Sequence, residues 1–126
     1  LADDWILSTA PTPEVQRGRY LVEALGHCGE CHTPRDRLGG LDAAAWLAGA
    51  PEPAGEGRVP NITPAEAALG SWSASDIAYY LKTGFTPEFD TVGGSMVEVQ
   101  ENLAQLSDED RAAIAAYLMA VAPVAP

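Results

Sequence analysis

The 126-residue sequence has few basic residues, few aromatic residues and no long apolar run. Seven lysines and arginines face 18 aspartates and glutamates, which gives a formal net charge of −11. This balance argues against nucleic acids and anionic membrane surfaces as partners, because basic groups provide most of the attraction to both. The longest apolar runs, such as residues 112–122, are too short to cross a bilayer.

The sequence also shows no secretory leader. It begins LADDW, which is acidic, whereas a leader begins with basic residues followed by an apolar stretch. We interpret this start as a processed N-terminus, although a trimmed sequence would look the same. The length allows one modest core, so we predict a single domain over residues 1–126, with residues 1–12 as an N-terminal extension.

Helix signals separate two blocks rich in proline and glycine, residues 39–64 and 84–94. Four predicted helices follow a capping residue, at Thr12, Thr63, Ser73 and Ser107. The first is expected to end at Gly26 or Gly29, the second at Gly70 and the third at Gly84. No segment alternates convincingly as a strand, and residues 39–57 have no assigned path. The predicted class is therefore all-α with long loops.

The most specific motif in the sequence contains its two cysteines. Cys28 and Cys31 are three positions apart and His32 follows directly, which is the attachment pattern of a c-type haem. Two thiols at this spacing can each add to one haem vinyl group, and the adjacent imidazole can bind the iron. A redox disulfide would require a βαβ context, and a zinc site would require a second pair of ligands. The predicted cofactor is one covalent haem c.

The residue opposite His32 at the iron has several candidates. Met119 lies in the last predicted helix, where a methionine usually fills the core. His27 is next to Cys28 and is poorly placed to reach the opposite face, and Lys82 is the single lysine. Met96 follows Gly93 and Gly94, and such a glycine-rich loop can approach a flat ring closely. We predict His32 and Met96 as the iron ligands, a pair that raises the potential and suits electron transfer.

The order of motifs resembles the class I cytochrome c family over residues 18–121. The traits are CGECHTPRD at residues 28–36, PNITP at 60–64, GSWS at 70–73, GGSM at 93–96 and LSD at 106–108. They are most similar to monohaem domains in cytochrome subunits that accept electrons from bacterial periplasmic dehydrogenases. The resemblance implies a cytochrome c fold of about four to five helices wrapped around one haem.

The resemblance also implies roles around the haem. The Pro60 carbonyl would accept a hydrogen bond from Nδ1–H of His32. Trp72 would donate to a propionate, and Tyr80 would lie near the sulfur of Met96; the alternative for Trp72 is a simple core aromatic. Gly18 and Tyr117 would mark the crossing of the first and last helices, and Tyr117 could likewise be only a core aromatic.

Arg35 and Arg37 follow the haem-attachment motif closely. Each could pair with a haem propionate or be an ordinary surface charge, and the sequence leaves this open. The basic face of mitochondrial-type carriers is absent, because Lys82 is the single lysine.

The expected function is that of a periplasmic or otherwise exported one-electron carrier or electron-transfer subunit, and not of an enzyme. It would accept electrons from a dehydrogenase that has a basic docking patch and pass them toward a terminal oxidase. One alternative is a catalytic or gas-binding haem protein whose sixth ligand can be displaced. Another is a haem domain with a structural role in a larger complex.

Overall fold

A computed structural model describes residue 7, residues 11–52 and residues 57–125. The predicted processed N-terminus and most of the predicted extension lie outside the described residues, as do residues 53–56 of the segment rich in glycine and proline. The elements of the described part are α1 Pro13–Tyr20, a π turn Leu21–Leu25, α2 Cys28–His32, a 3₁₀ turn Ala43–Ala45, β1 Ala50–Pro51, β2 Arg58–Val59, α3 Ala74–Thr83, α4 Met96–Leu103 and α5 Asp108–Ala120.

Three of the predicted helices are confirmed, and local capping explains each of them. Thr12 accepts a hydrogen bond from the backbone N–H of Val15, and the π turn carries the first helix on to Gly26. Ser73 and Asp76 form a reciprocal capping box at the start of α3, which ends at a glycine with φ of 81°. Ser107 caps α5. The mostly helical class is confirmed, with one two-residue strand pair added.

The predicted helix between Thr63 and Gly70 is wrong. The Thr63 hydroxyl donates to Oδ1 of Asn61 over 2.7 Å and accepts from the N–H groups of Ala65, over 3.4 Å, and Val124, over 3.1 Å. The chain then folds as successive turns, in which the N–H of Leu69 donates to the Thr63 carbonyl and that of Gly70 to the Ala65 carbonyl. Side-chain bonding to nearby polar groups has replaced the helical pattern here.

The crossing of α1 and α5 forms the centre of the core, as the resemblance implied for Gly18 and Tyr117. A β-carbon at Gly18 would lie 1.9 Å from the carbonyl oxygen of Ala113 and 2.8 Å from Cβ of Tyr117. The Tyr117 side chain is fully buried. The larger core side chains around the crossing are Val15, Leu21, Val22, Trp46, Leu47, Ile77, Leu81, Ile114, Leu118 and Val121.

Within the described ranges, none of the helices has both the length and the apolar character needed to span a membrane.

Replacing Gly18 with alanine should force the two helices apart, because the nearest atom is backbone and cannot rotate away. We expect Gly18→Ala to lower the free energy of unfolding by about 3 kcal/mol, the upper part of the usual range for overpacking. Urea denaturation of the haem-loaded protein measures this. Gln16→Ala, on an exposed position of the same helix, should change the value by less than about 0.5 kcal/mol. Equal stability of Gly18→Ala and wild type would contradict the close crossing.

Candidate haem site

The attachment motif forms the short helix α2, and both of its cysteines are free thiols. His27 precedes the helix with a left-handed backbone, φ 52°, and its side chain is exposed. The Cys28 side chain is partly buried, and burial raises the pKa of its thiol to about 11. Cys31 is exposed. Cys28 therefore does not have the lowered pKa that is typical of a redox-active cysteine.

His32 is held as a neutral ring with one nitrogen available. Its side chain is 8% exposed, and Nδ1 lies 2.8 Å from the carbonyl oxygen of Pro60. A carbonyl only accepts, so Nδ1 carries the proton and the lone pair is on Nε2. Burial lowers the pKa of His32, and the Pro60 bond and the charge of Glu52 oppose that shift. A neutral imidazole with a free Nε2 lone pair is the form that binds a metal.

A short antiparallel pair of segments, residues 49–52 and 57–60, holds His32 from both sides and is called the hairpin below. The N–H of Gly49 donates to the His32 carbonyl over 2.7 Å, and Pro60 at the other end of the hairpin accepts from the ring. Between these points Ala50 pairs with Val59 in an antiparallel strand pair. Gly49 has φ of 94°, and a β-carbon there would lie 2.9 Å from the Val59 carbonyl oxygen. Gly49, in the segment whose path the sequence did not predict, therefore helps to position the histidine.

A buried polar chain connects α2 to the core. The Trp46 ring packs against Gly29, where a β-carbon would lie 2.3 Å from the ring. Its indole N–H donates to the Tyr117 hydroxyl over 2.9 Å, and that hydroxyl donates to the Glu23 carboxylate over 2.7 Å. Arg19 pairs with Glu23 at 2.9 Å. Sequence reasoning missed Trp46 and Glu23, because no local spacing connects them with residues far along the chain.

Met96 is the first residue of α4 and is half-buried, so the expected glycine loop ends where the methionine begins a helix. Its neighbour Ser95 donates through Oγ to Oε1 of Glu52 over 2.6 Å. Glu52 directly follows strand β1 of the hairpin that holds His32. This contact connects the Met96 segment with the hairpin. Met119, the competing candidate, packs against the hydrophobic core from α5.

The other predicted site residues are Trp72 and Tyr80, which contact each other, and Arg35, which lies on the surface. The rings of Trp72 and Tyr80 meet edge to face, with centroids 5.9 Å apart at 71°. Both are partly buried against the core, and burial raises the pKa of Tyr80. Arg35 is exposed and pairs with Glu30 at 2.9 Å. The structure thus brings Cys28, Cys31, His32 and Pro60 together. Arg35 has a carboxylate partner, Glu30, and both side chains are exposed.

The donor set fits a covalently attached haem. Two free thiols and a neutral imidazole lie on one short helix, and Pro60 fixes the ring tautomer. A zinc site fits less well. Over the part of the chain that the structure describes, no group of three or more histidine, cysteine, aspartate or glutamate side chains could hold a metal ion.

The family model for cytochrome c matches residues 15–122, which include all the elements of the site. This chain belongs to the cytochrome c family. Membership implies covalent haem c, and Cys28, Cys31 and His32 are the residues that match its attachment motif.

Curated relatives are cytochrome proteins and subunits. A diheme c-type cytochrome of Cereibacter sphaeroides is 60% identical over 117 residues, covering 93% of this chain and 38% of that protein. The fructose dehydrogenase cytochrome subunit of Gluconobacter japonicus is 44% identical, covering 94% of this chain and 22% of that protein. The gluconate 2-dehydrogenase cytochrome c subunit of Pantoea cypripedii is 39% identical, covering 84% and 26%. The chain spans at most 38% of the length of these three relatives.

The Tyr117 hydroxyl should stabilise this cytochrome c domain, because its removal leaves two buried polar groups with one partner fewer. We expect Tyr117→Phe to lower the free energy of unfolding by about 2 kcal/mol. The matched control is Tyr79→Phe, which removes a hydroxyl from a residue that is 52% exposed and should have little effect. Urea denaturation of both variants tests this, and equal stability of the two would contradict the importance of the buried chain.

Proposed function

We propose that this cytochrome c domain transfers single electrons, with one haem c whose iron is bound by His32 and Met96. The observation that carries the proposal is the His32 imidazole, buried and bonded through Nδ1 to Pro60 beside two free thiols. When bound, the haem supplies a one-electron iron couple, and histidine–methionine ligation sets it at a positive potential.

The residues of the chain perform the positioning. The Pro60 carbonyl fixes the His32 ring and raises its basicity, as outer partners of metal-bound histidines do. Cys28 and Cys31 would anchor the cofactor to α2 through thioethers. Trp72 and Tyr80 would serve as tuning residues: the Trp72 N–H would donate to a propionate, and Tyr80 would lie near the Met96 sulfur. Arg35 would have to exchange Glu30 for a propionate to join them.

The partner that we propose is a dehydrogenase. Relatives of the chain are named as cytochrome subunits of fructose, gluconate and alcohol dehydrogenases, which supports this assignment. In this scheme the domain works in the periplasm or another exported location, receives electrons without catalysing the oxidation and passes them toward a terminal oxidase. The net charge of −11 favours a basic docking patch on the dehydrogenase.

Met96→Ala should remove the weak near-infrared sulfur–iron band of the ferric protein, lower the reduction potential and open the iron to external ligands. The control Met119→Leu changes the other methionine and should preserve the band. Absorption spectroscopy with a redox titration tests both. High-spin ferric iron in the resting wild-type protein would contradict the carrier function and favour the catalytic or gas-binding alternative. Loss of the band in the control alone would point to Met119.

The acidic surface should make electron transfer depend on salt in a direction set by the charge of the oxidant. Oxidation of the reduced protein by a cationic cobalt(III) complex should slow about tenfold as ionic strength rises from about 10 mM to about 1 M, because screening removes the attraction. Oxidation by anionic ferricyanide should accelerate instead. Stopped-flow kinetics measure both rates. Independence from salt with both oxidants would contradict electrostatic docking.

A further inference from the structure

We propose that the paired segments 49–52 and 57–60 hold the Met96 segment close to the histidine side, and that the hydrogen bond between Glu52 and Ser95 makes this connection. Glu52 and Ser95 are positioning residues in this proposal and not iron ligands. It rests on the ligation by His32 and Met96 proposed above.

The first contact that the proposal requires is between the hairpin and His32, through two hydrogen bonds. Gly49 and Pro60, on either side of the strand pair, hold the backbone and the ring of the histidine respectively. The strand pair then continues toward Glu52, whose N–H donates to the Gly57 carbonyl over 3.1 Å. The backbone of Glu52 is therefore fixed relative to His32.

The second contact that the proposal requires is between Glu52 of the hairpin and Ser95. Its Oγ lies 2.6 Å from Oε1 of Glu52, across a separation of 43 residues. A β-carbon at Gly94 would lie 3.9 Å from the other carboxylate oxygen, so the carboxylate lies against the backbone just before Met96. The same hairpin thus contacts both of the segments that carry the proposed iron ligands.

The Ser95 side chain makes this bond in place of the one that its position favours. Ser95 is the residue before α4, where serine usually accepts a hydrogen bond from the first turn. Thr12, Ser73 and Ser107 do so at the other long helices, whereas Ser95 makes no such bond. Its hydroxyl donates to Glu52 instead. A role limited to helix capping therefore does not explain this serine.

This connection predicts a change in how readily Met96 leaves the iron. An external ligand must displace the methionine, so its apparent affinity rises as the methionine-bound state loses stability. Loss of one hydrogen bond to a charged group near the surface should tighten apparent binding roughly threefold to tenfold. The direction is opposite to that expected if Glu52 and Ser95 themselves contacted the incoming ligand.

The experiment is an imidazole titration of the ferric holoprotein, followed through the near-infrared sulfur–iron band. Ser95→Ala and Glu52→Ala remove the bond and should bind imidazole roughly threefold to tenfold more tightly. Ser95→Thr keeps a hydroxyl and Glu52→Gln keeps an accepting oxygen, so both should remain within about twofold of wild type. Because Ser95 makes no capping bond, Ser95→Ala should leave the helical circular dichroism unchanged.

Three outcomes would overturn the proposed connection. Wild-type affinity in Ser95→Ala would show that the bond does not hold Met96. Equal tightening in Glu52→Gln and Glu52→Ala would assign the effect to the carboxylate charge instead of the bond. Absence of the band in the wild-type protein, with no change in Met96→Ala, would remove the proposed methionine ligand and the proposed connection together. In the first two outcomes the wild type keeps its band, so they leave the proposed function standing.

Discussion

The close crossing of α1 and α5 is the constraint on which the haem-binding region depends. At Gly18 the backbones approach so closely that a β-carbon would overlap the Ala113 carbonyl. This approach buries Tyr117 completely and brings its hydroxyl to Glu23, at the end of the first helical segment. Trp46 donates to the same hydroxyl and lays its ring against Gly29, between the two cysteines. The orientation of the attachment helix thus follows from contacts that begin at the helix crossing.

The His32 ring depends on a second, separate part of the chain. Its carbonyl accepts from Gly49 and its Nδ1 donates to Pro60, both in the hairpin of residues 49–52 and 57–60, so the imidazole has one orientation and one tautomer. Glu52 of that hairpin also bonds to Ser95, the residue before Met96. A change in the position of the hairpin would therefore affect the side of the site where Met96 lies. The core therefore positions the thiols, while the hairpin positions the histidine and contacts the methionine segment. The cysteines that would attach the haem and the histidine that would bind its iron are therefore held by different contacts.

The features that the sequence predicted correctly depend on residues close together in the chain. The capping residues and helical spacing identified α1, α3 and α5, and the attachment motif needed only five adjacent positions. Helix α4 was not predicted because its buried residue is Gln100, which donates to the Leu81 carbonyl, while Val97 and Val99 are exposed. The glycines just before α4 and the polar residue at its buried position made the segment resemble a loop. The helix predicted after Thr63 does not form, and the Thr63 hydroxyl there bonds to Asn61 and to the distant N–H of Val124.

Long-range partners are the other part that sequence reasoning could not supply. Trp46 and Glu23 meet at Tyr117 from distant parts of the chain, and Ser95 meets Glu52 across 43 residues. Each pairing follows from the packed fold and not from a motif. Pro60 is different, because the resemblance to class I cytochromes c implies it as the partner of His32, and the structure contains that bond.

A crystal structure of the haem-loaded protein is the most direct test of this account. It should show the iron between Nε2 of His32 and the Met96 sulfur, with Nδ1 of His32 still bonded to the Pro60 carbonyl. Iron bound by His27, by Met119 or by solvent in place of Met96 would contradict the account. So would a His32 ring turned away from Pro60.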